Sequence, residues 1–168
     1  MKILGIDPGT RVMGYGVIES DNDDVAPVDY GAIKPPENSE IAVRLNHLFK
    51  ELQKVISRHR PGAVAIEQPF VAKNVKSAMA IGRAQAIALL AAADGGIPAY
   101  EYTPTQVKQR VANYGASSKE QIQEMVRLQL GLDETPQPDD AADALAVAIC
   151  HCREMHVTDL LSAQGDGR

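Results

Sequence analysis

Five acidic residues stand out by where they fall. Asp7 and Glu67 each close a short apolar run, Leu4-Gly5-Ile6-Asp7 and Val64-Ala65-Ile66-Glu67. Asp139, Asp140 and Asp143 open a segment that continues Ala144-Leu145-Ala146-Val147-Ala148-Ile149, apolar nearly all round. Short apolar runs bounded by breakers read as buried strands, and the longer segment reads as a buried helix. Asp140 and Asp143 then share one helical face. If the two strands are parallel neighbours, their ends lie about 4.8 Å apart at one sheet edge. Carboxylates that close repel each other, and a divalent cation relieves the repulsion. A set of hard oxygen ligands suits Mg²⁺, which keeps waters and so accepts phosphate substrates. Two such ions activate a water and steady the leaving oxygen in phosphodiester hydrolysis. Each acid also has a plain structural reading: Asp7-Pro8-Gly9 makes a good turn, and aspartates in a first helical turn serve the cap and the helix dipole.

The elements that must position these acids are legible in outline. Strands are predicted at 2–6, 13–18 and 25–33, joined by short turns as an antiparallel meander. Gly14 and Gly16 fall inside the second. Helical spacing of Ile41, Leu45, Leu48, Leu52, Val55 and Ile56 predicts a helix over 39–59, with Ser39 as its N-cap. That helix is a crossover, and it makes the strand at 63–66 parallel to the first. An Ala-rich helix over 74–93 leads to a fifth strand at 98–102. Pro104 opens a short helix over 105–111, and Ser118 with Gln121 forms a capping box for a helix over 119–130. A last helix is expected over 139–155. Residues 1–156 read as a single domain and 157–168 as a flexible tail. The fold class is α/β, a mixed five-stranded sheet with helices on both faces.

Composition excludes several classes. A chain of 168 residues, 45% hydrophobic and 23% charged, suits one globular domain. No uninterrupted apolar run approaches the ~18 residues of a membrane span. The first residues enter structure at once, so no signal or transit peptide is expected. Cys150 and Cys152 are the only cysteines, which fits a reducing cytoplasm. Cys150-His151-Cys152 with His156 is a poor zinc site, because residues two apart on a helix point about 200° from each other. His47 and His59 read as surface residues of the first long helix. The net charge is −5, yet it is uneven: −2 over 1–68, +3 over 69–130 and −6 over 131–168. A positive middle beside clustered acids fits a polyanionic substrate.

The run Gly5-Ile6-Asp7-Pro8-Gly9-Thr10-Arg11-Val12-Met13-Gly14-Tyr15-Gly16-Val17 closely resembles the opening of the bacterial RuvC Holliday-junction resolvases. Ala65-Ile66-Glu67-Gln68-Pro69-Phe70, then Gln106-Val107-Lys108-Gln109 and Asp140-Ala141-Ala142-Asp143-Ala144-Leu145-Ala146, resemble the family's later motifs in order. The resemblance covers roughly residues 1–155. It implies an RNase H-like fold, a homodimer, and paired symmetric Mg²⁺-dependent nicking of four-way DNA junctions in recombination and repair. Mn²⁺ is expected to substitute. By position, Asp7, Glu67, Asp140 and Asp143 match the catalytic, metal-holding acids, and Asp139 is their neighbour. A branch-migration motor of RuvA and RuvB type proteins is the implied partner. Pro69 stands where relatives more often carry a small apolar residue, and the basic C-terminal tail of some relatives is missing. A phosphotransferase of the actin-like or sugar-kinase-like kind is the rival for Asp7-Pro8-Gly9-Thr10, but such enzymes need two domains around a nucleotide.

Phosphate contacts need cations, and Lys73, Lys76, Arg83, Lys108 and Lys119 are the candidates. Lys119 is also placed to neutralise charge in the transition state, or is simply a solvated lysine at a helix start. Phe70, three residues after Glu67, is placed to stack on an unpaired base, or to cap the Ala-rich helix as a core aromatic. The small residues Ala78, Gly82, Ala86 and Ala93 allow that helix to meet its counterpart across a two-fold axis, or to pack inside the chain.

Overall fold

A computed structural model describes residues 1–21, 24–68 and 74–165. Five strands and five helices follow in the order β1 (Lys2–Asp7), β2 (Met13–Asp21), β3 (Asp24–Ile33), α1 (Ile41–His59), β4 (Ala63–Glu67), α2 (Val75–Asp94), β5 (Ala99–Tyr102), α3 (Pro104–Ala112), α4 (Lys119–Gln129) and α5 (Asp139–Gly165). They form one sheet of order β3-β2-β1-β4-β5. The meander β1-β2-β3 is antiparallel, and β4 and β5 join parallel to β1. Because α1 carries the chain back across the sheet, β1 and β4 end at the same edge.

Two cores lie on opposite faces of the sheet. Leu4, Ile6, Val64 and Ile66 pack against Leu48 and Leu52 of α1 and Ala84 and Ala88 of α2. Ile3, Ile18 and Ala65 pack against Leu145 and Ile149 of α5, with Val107 and Val111 of α3 and Ile122 and Val126 of α4 beyond. Strand alternation assigns the faces, since successive side chains point to opposite sides. α2 is long and apolar enough by composition to cross a membrane, but Ala84, Ala88, Ala91 and Ala92 belong to the core.

Local signals set most helix ends. Ser118 and Gln121 make the expected capping box of α4, and Thr103 with Gln106 makes a second on α3. The Asn74 side chain accepts from the backbone N–H groups of Lys76 and Ser77 and caps α2. Three expectations need correction. Ser39 does not cap α1: its hydroxyl donates to the Pro36 carbonyl at 2.6 Å, and the helix starts at Ile41 behind Glu40. α5 does not stop at Met155. It runs to Gly165, because residues 157–164 hold neither glycine nor proline to break it. His59 is not a surface residue: its ring sits 2.8 Å from Asp29 with only 11% of the side chain exposed. The strand that supplies Asp29 packs over it, a tertiary contact that helix periodicity does not register.

Candidate active site

Ile6 and Ile66 are paired in the β1-β4 register, so Asp7 and Glu67 are the next residues in step. Alternation puts both on the α5 face, the side of Ile3, Gly5 and Ala65. Their carboxyl groups share a hydrogen bond. The first turn of α5 then delivers Asp140 and Asp143 above them. It comes close because the sheet beneath is stripped of side chains. A β-carbon on Gly14 would stand 1.9 Å from the Asp140 carbonyl oxygen, and one on Gly5 2.0 Å from that of Ala144. Gly14 is the β2 partner of Asp7. The sheet glycines and the alanines of α5 thus set the distance between two pairs of acids.

Electrostatics records this crowding. Asp7 is pushed up to about 8, first by burial and then by repulsion from Glu67, Asp143 and Asp140. Glu67 is pushed up to about 7, first by burial and then by Asp143, with Lys108 and Lys119 pulling the other way. Burial also raises Asp143, against the ion pair it makes with Lys119. Lys119, in the first turn of α4, places its Nζ 3.2 Å from Asp143 and 3.3 Å from Asp139. Burial would lower the Lys119 ammonium, but the two aspartates outweigh it and hold the pKa above its ordinary value. At neutral pH the Asp7–Glu67 pair therefore retains a proton that ordinary carboxylates would have lost.

Of the residues singled out in the sequence, Asp7, Glu67, Asp140 and Asp143 come together. Lys119 and Lys108 face them from α4 and α3. Lys76 and Arg83 do not join this group: both are exposed on α2, at the opposite face of the sheet. Phe70 and Lys73 lie outside the described residues. Asp139 proves to share Lys119 with Asp143, a pairing that motif spacing does not reveal. The seating role of Gly5 and Gly14 was equally hidden, since a glycine in a strand signals a close approach without naming the partner.

Residues 3–151 match the family model described as crossover junction endodeoxyribonuclease RuvC. The chain belongs to the RuvC family. The RuvC of Dehalococcoides mccartyi strain BAV1 is 56% identical over 166 residues, covering 99% of each chain. The RuvC of Caldanaerobacter subterraneus is 49% identical over 168 residues and the full length of both. Among solved structures, Thermus thermophilus RuvC in complex with Holliday junction substrate superimposes with a TM-score of 0.89 at 34% identity, over 94% of this chain and 96% of that one. The yeast mitochondrial Holliday junction resolvase Ydc2, at 13% identity and a TM-score of 0.66, shares the fold. The fold is thus the RNase H-like mixed sheet expected of RuvC proteins.

Nucleases of the RuvC family are metal-dependent. The carboxylates here fit that need chemically. The donors are all hard oxygens, and the crowding that raises Asp7 and Glu67 is the repulsion a divalent cation would relieve. Among the described residues no three His, Cys, Asp or Glu side chains already stand close enough to cage an ion, and Lys119 engages Asp143. A cation seated here would displace the proton and compete with the Lys119 ammonium for Asp143.

Proposed function

We propose that this protein resolves four-way DNA junctions by paired, symmetric, Mg²⁺-dependent phosphodiester hydrolysis. The observation that carries the reading is the hydrogen-bonded Asp7–Glu67 pair beneath Asp140 and Asp143, four carboxylates from three elements at one sheet edge. Asp7, Glu67, Asp140 and Asp143 are the residues that would hold the metal, two ions to a site, with Mn²⁺ able to replace Mg²⁺. Bound there, the metal supplies an attacking water of lowered pKa and charge neutralisation at the phosphate and at the 3′ oxygen.

The chain's own residues do the rest. The carboxylate cluster, held half-buried by the sheet and by α5, fixes the donor geometry before substrate arrives. Lys119, already paired with Asp139 and Asp143, is a half-exposed cation beside the scissile position and exchanges these partners for a phosphate oxygen. Lys108 is a second positive charge next to Glu67. Lys73, Lys76 and Arg83 hold more distant phosphates, and Phe70 stacks on a base unpaired at the crossover. The products carry 5′-phosphate and 3′-hydroxyl ends.

Two sites are needed for two symmetric nicks. The outer side of α2 supports a two-fold dimer: Val75, Met79 and Leu90 are exposed there, and Gly82 meets nothing within 4 Å. A branch-migration motor of RuvA and RuvB type delivers the junction. The reduced, buried Cys150 and Cys152 suit work in the cytoplasm.

The test is a cleavage assay on a labelled synthetic four-way junction, with Mg²⁺ or EDTA, beside linear duplex. Paired nicks in the wild type that vanish in EDTA and in Asp7→Asn, with junction binding kept, are the expected result. Binding without nicks at any divalent metal would leave a junction-binding module in place of an enzyme.

A further inference from the structure

The same sheet edge carries a second feature, on the face opposite the carboxylates. Arg11, in the β1-β2 turn, lies four residues beyond Asp7. Lys34 follows β3, whose last residue Ile33 pairs with Met13 at the start of β2. Arg44 lies in the first turn of α1. These three cations, from three separate elements, line an open cleft of about 480 Å³ whose wall is fixed by Pro35 and Pro36. A second depression of about 510 Å³ adjoins it and shares Arg11 and Val12, with Lys76 of α2 on its other side.

The charge here is uncompensated. Lys54, Arg58, Arg110, Lys119 and Arg127 all pair with acidic side chains. Among the described residues Arg11, Lys34, Arg44 and Lys76 form no ion pair, as Lys2, Lys50, Arg60, Arg83, Lys108 and Arg153 form none; what separates the four is that they line one continuous concave path. The Arg44 Nε donates to the Ser39 carbonyl at 2.8 Å, which orients the guanidinium without neutralising it. Glu37 is the one acid on the cleft wall. In a chain with net charge −5, gathering four cations along one concave path suits a polyanion. A small phosphate would be met by a closed pocket with converging donors. An open trough with cations spread along it matches instead the repeating charge of a nucleic-acid backbone.

We propose that this trough is a second DNA-binding site, which holds the phosphate backbone of a duplex arm as it leaves the crossover. The proposal rests on the junction-resolving function above. It gives Arg11, Lys34 and Arg44 a role in arm placement, with Lys76 extending the track. The carboxylates take the scissile phosphate on the α5 side of the edge, and the trough takes the arm on the α1-α2 side. Such contacts position DNA without reading sequence.

The test uses the full-length protein, a labelled four-way junction in EDTA, and a series of salt concentrations. The double variant Arg11→Gln with Lys34→Gln is compared with the wild type and with Lys50→Gln with Lys54→Gln, on the outward side of α1. Losing two phosphate contacts lowers the slope of log affinity against log salt by about 2. The expected result is that loss in the trough variant alone, with unchanged thermal unfolding and an unchanged single-turnover cleavage rate at saturating junction with Mg²⁺. A wild-type slope in the trough variant, or an equal loss in the Lys50/Lys54 variant, overturns the proposal. So does inorganic phosphate binding that the trough variant loses while its junction slope stays intact, which would mark a small-anion site. A wild type that neither binds nor nicks junctions removes the junction-resolving function itself, a result separable from all of these.

Discussion

Replacing Gly14 by alanine tests how the site is assembled. Gly14 is paired with Asp7 in the sheet and lies directly beneath the first turn of α5. The new β-carbon would stand 1.9 Å from the Asp140 carbonyl oxygen and 2.4 Å from its carbonyl carbon, where real β-carbons do not come within 3.0 Å of a neighbour. Both clashing atoms are backbone, so no rotamer change relieves them. The start of α5 must rise by about 1.1 Å on that contact alone, carrying Asp140 and Asp143 away from Asp7 and Glu67. Overpacking of this kind costs about 1–3 kcal/mol of stability, which a domain of ordinary stability survives. Displacing a catalytic group by about 1 Å costs roughly 10²-fold in rate, or about 2.7 kcal/mol of barrier. The expected variant is folded, binds the junction and cleaves it about a hundredfold more slowly. Single-turnover cleavage at saturating junction, thermal unfolding and junction affinity in EDTA give the three readings. Gly62→Ala is the control: it lies at the far edge of the sheet, and its β-carbon would press only on the flexible Met1 side chain, at 2.9 Å, with the nearest backbone atom, the Lys2 carbonyl oxygen, at an ordinary 3.8 Å. If Gly14→Ala cleaves at the wild-type rate, the close seating of α5 is not what brings the acids together, and the reasoning fails.

Two further outcomes follow from the buried titratable groups. Asp7 keeps its proton up to about pH 8 in the native state, chiefly through burial, against 3.8 when unfolded. The native protein therefore binds more protons than the unfolded chain across that window, and Asp7 makes stability fall as pH rises through it. Asp7→Asn should raise the metal-free Tm at pH 7 by roughly 2–4 °C, a gain of about 1 kcal/mol after discounting for partial exposure, and by less at pH 5. A lower Tm than wild type at both pH values would show that the carboxyl group stabilises the fold. His151 has the opposite sign. It is buried, Tyr102 Oη lies 2.6 Å from its Nδ1, and burial lowers its pKa to about 4 from 6.5. Its contribution is complete above pH 6.5 and lost as pH falls towards 4, to a limit of about 3 kcal/mol. His151→Gln should flatten that part of the stability curve relative to wild type, measured by denaturant unfolding between pH 4 and 7, and an unchanged difference across the window would refute it.

Most of the elements, and the convergence of the acids, were legible in local pattern alone. Asp7 and Glu67 end apolar runs too short for helices, and the helical spacing from Ile41 to Ile56 requires a crossover, so a parallel pair with both acids at one edge follows from local pattern and chain geometry. The aspartates on an apolar helix were legible for the same reason. Helix ends were less so. Ser39 satisfies the Pro36 carbonyl and leaves α1 uncapped, and α5 continues because nothing in residues 157–164 stops it. Distance and partnership came from packing. Gly5 and Gly14 look alike in any strand until α5 lies on them, and Lys119 looks like any lysine at a helix start until Asp139 and Asp143 meet it from another helix. His59 finds Asp29 across thirty residues of chain in the same way. Arg11, Lys34 and Arg44 are scattered in sequence and share a cleft only because three strand and helix ends gather at one edge. Periodicity records which face a residue belongs to. Which atoms then stand within a few ångströms depends on how two faces settle against each other, and that is set by side-chain volume summed over the whole contact.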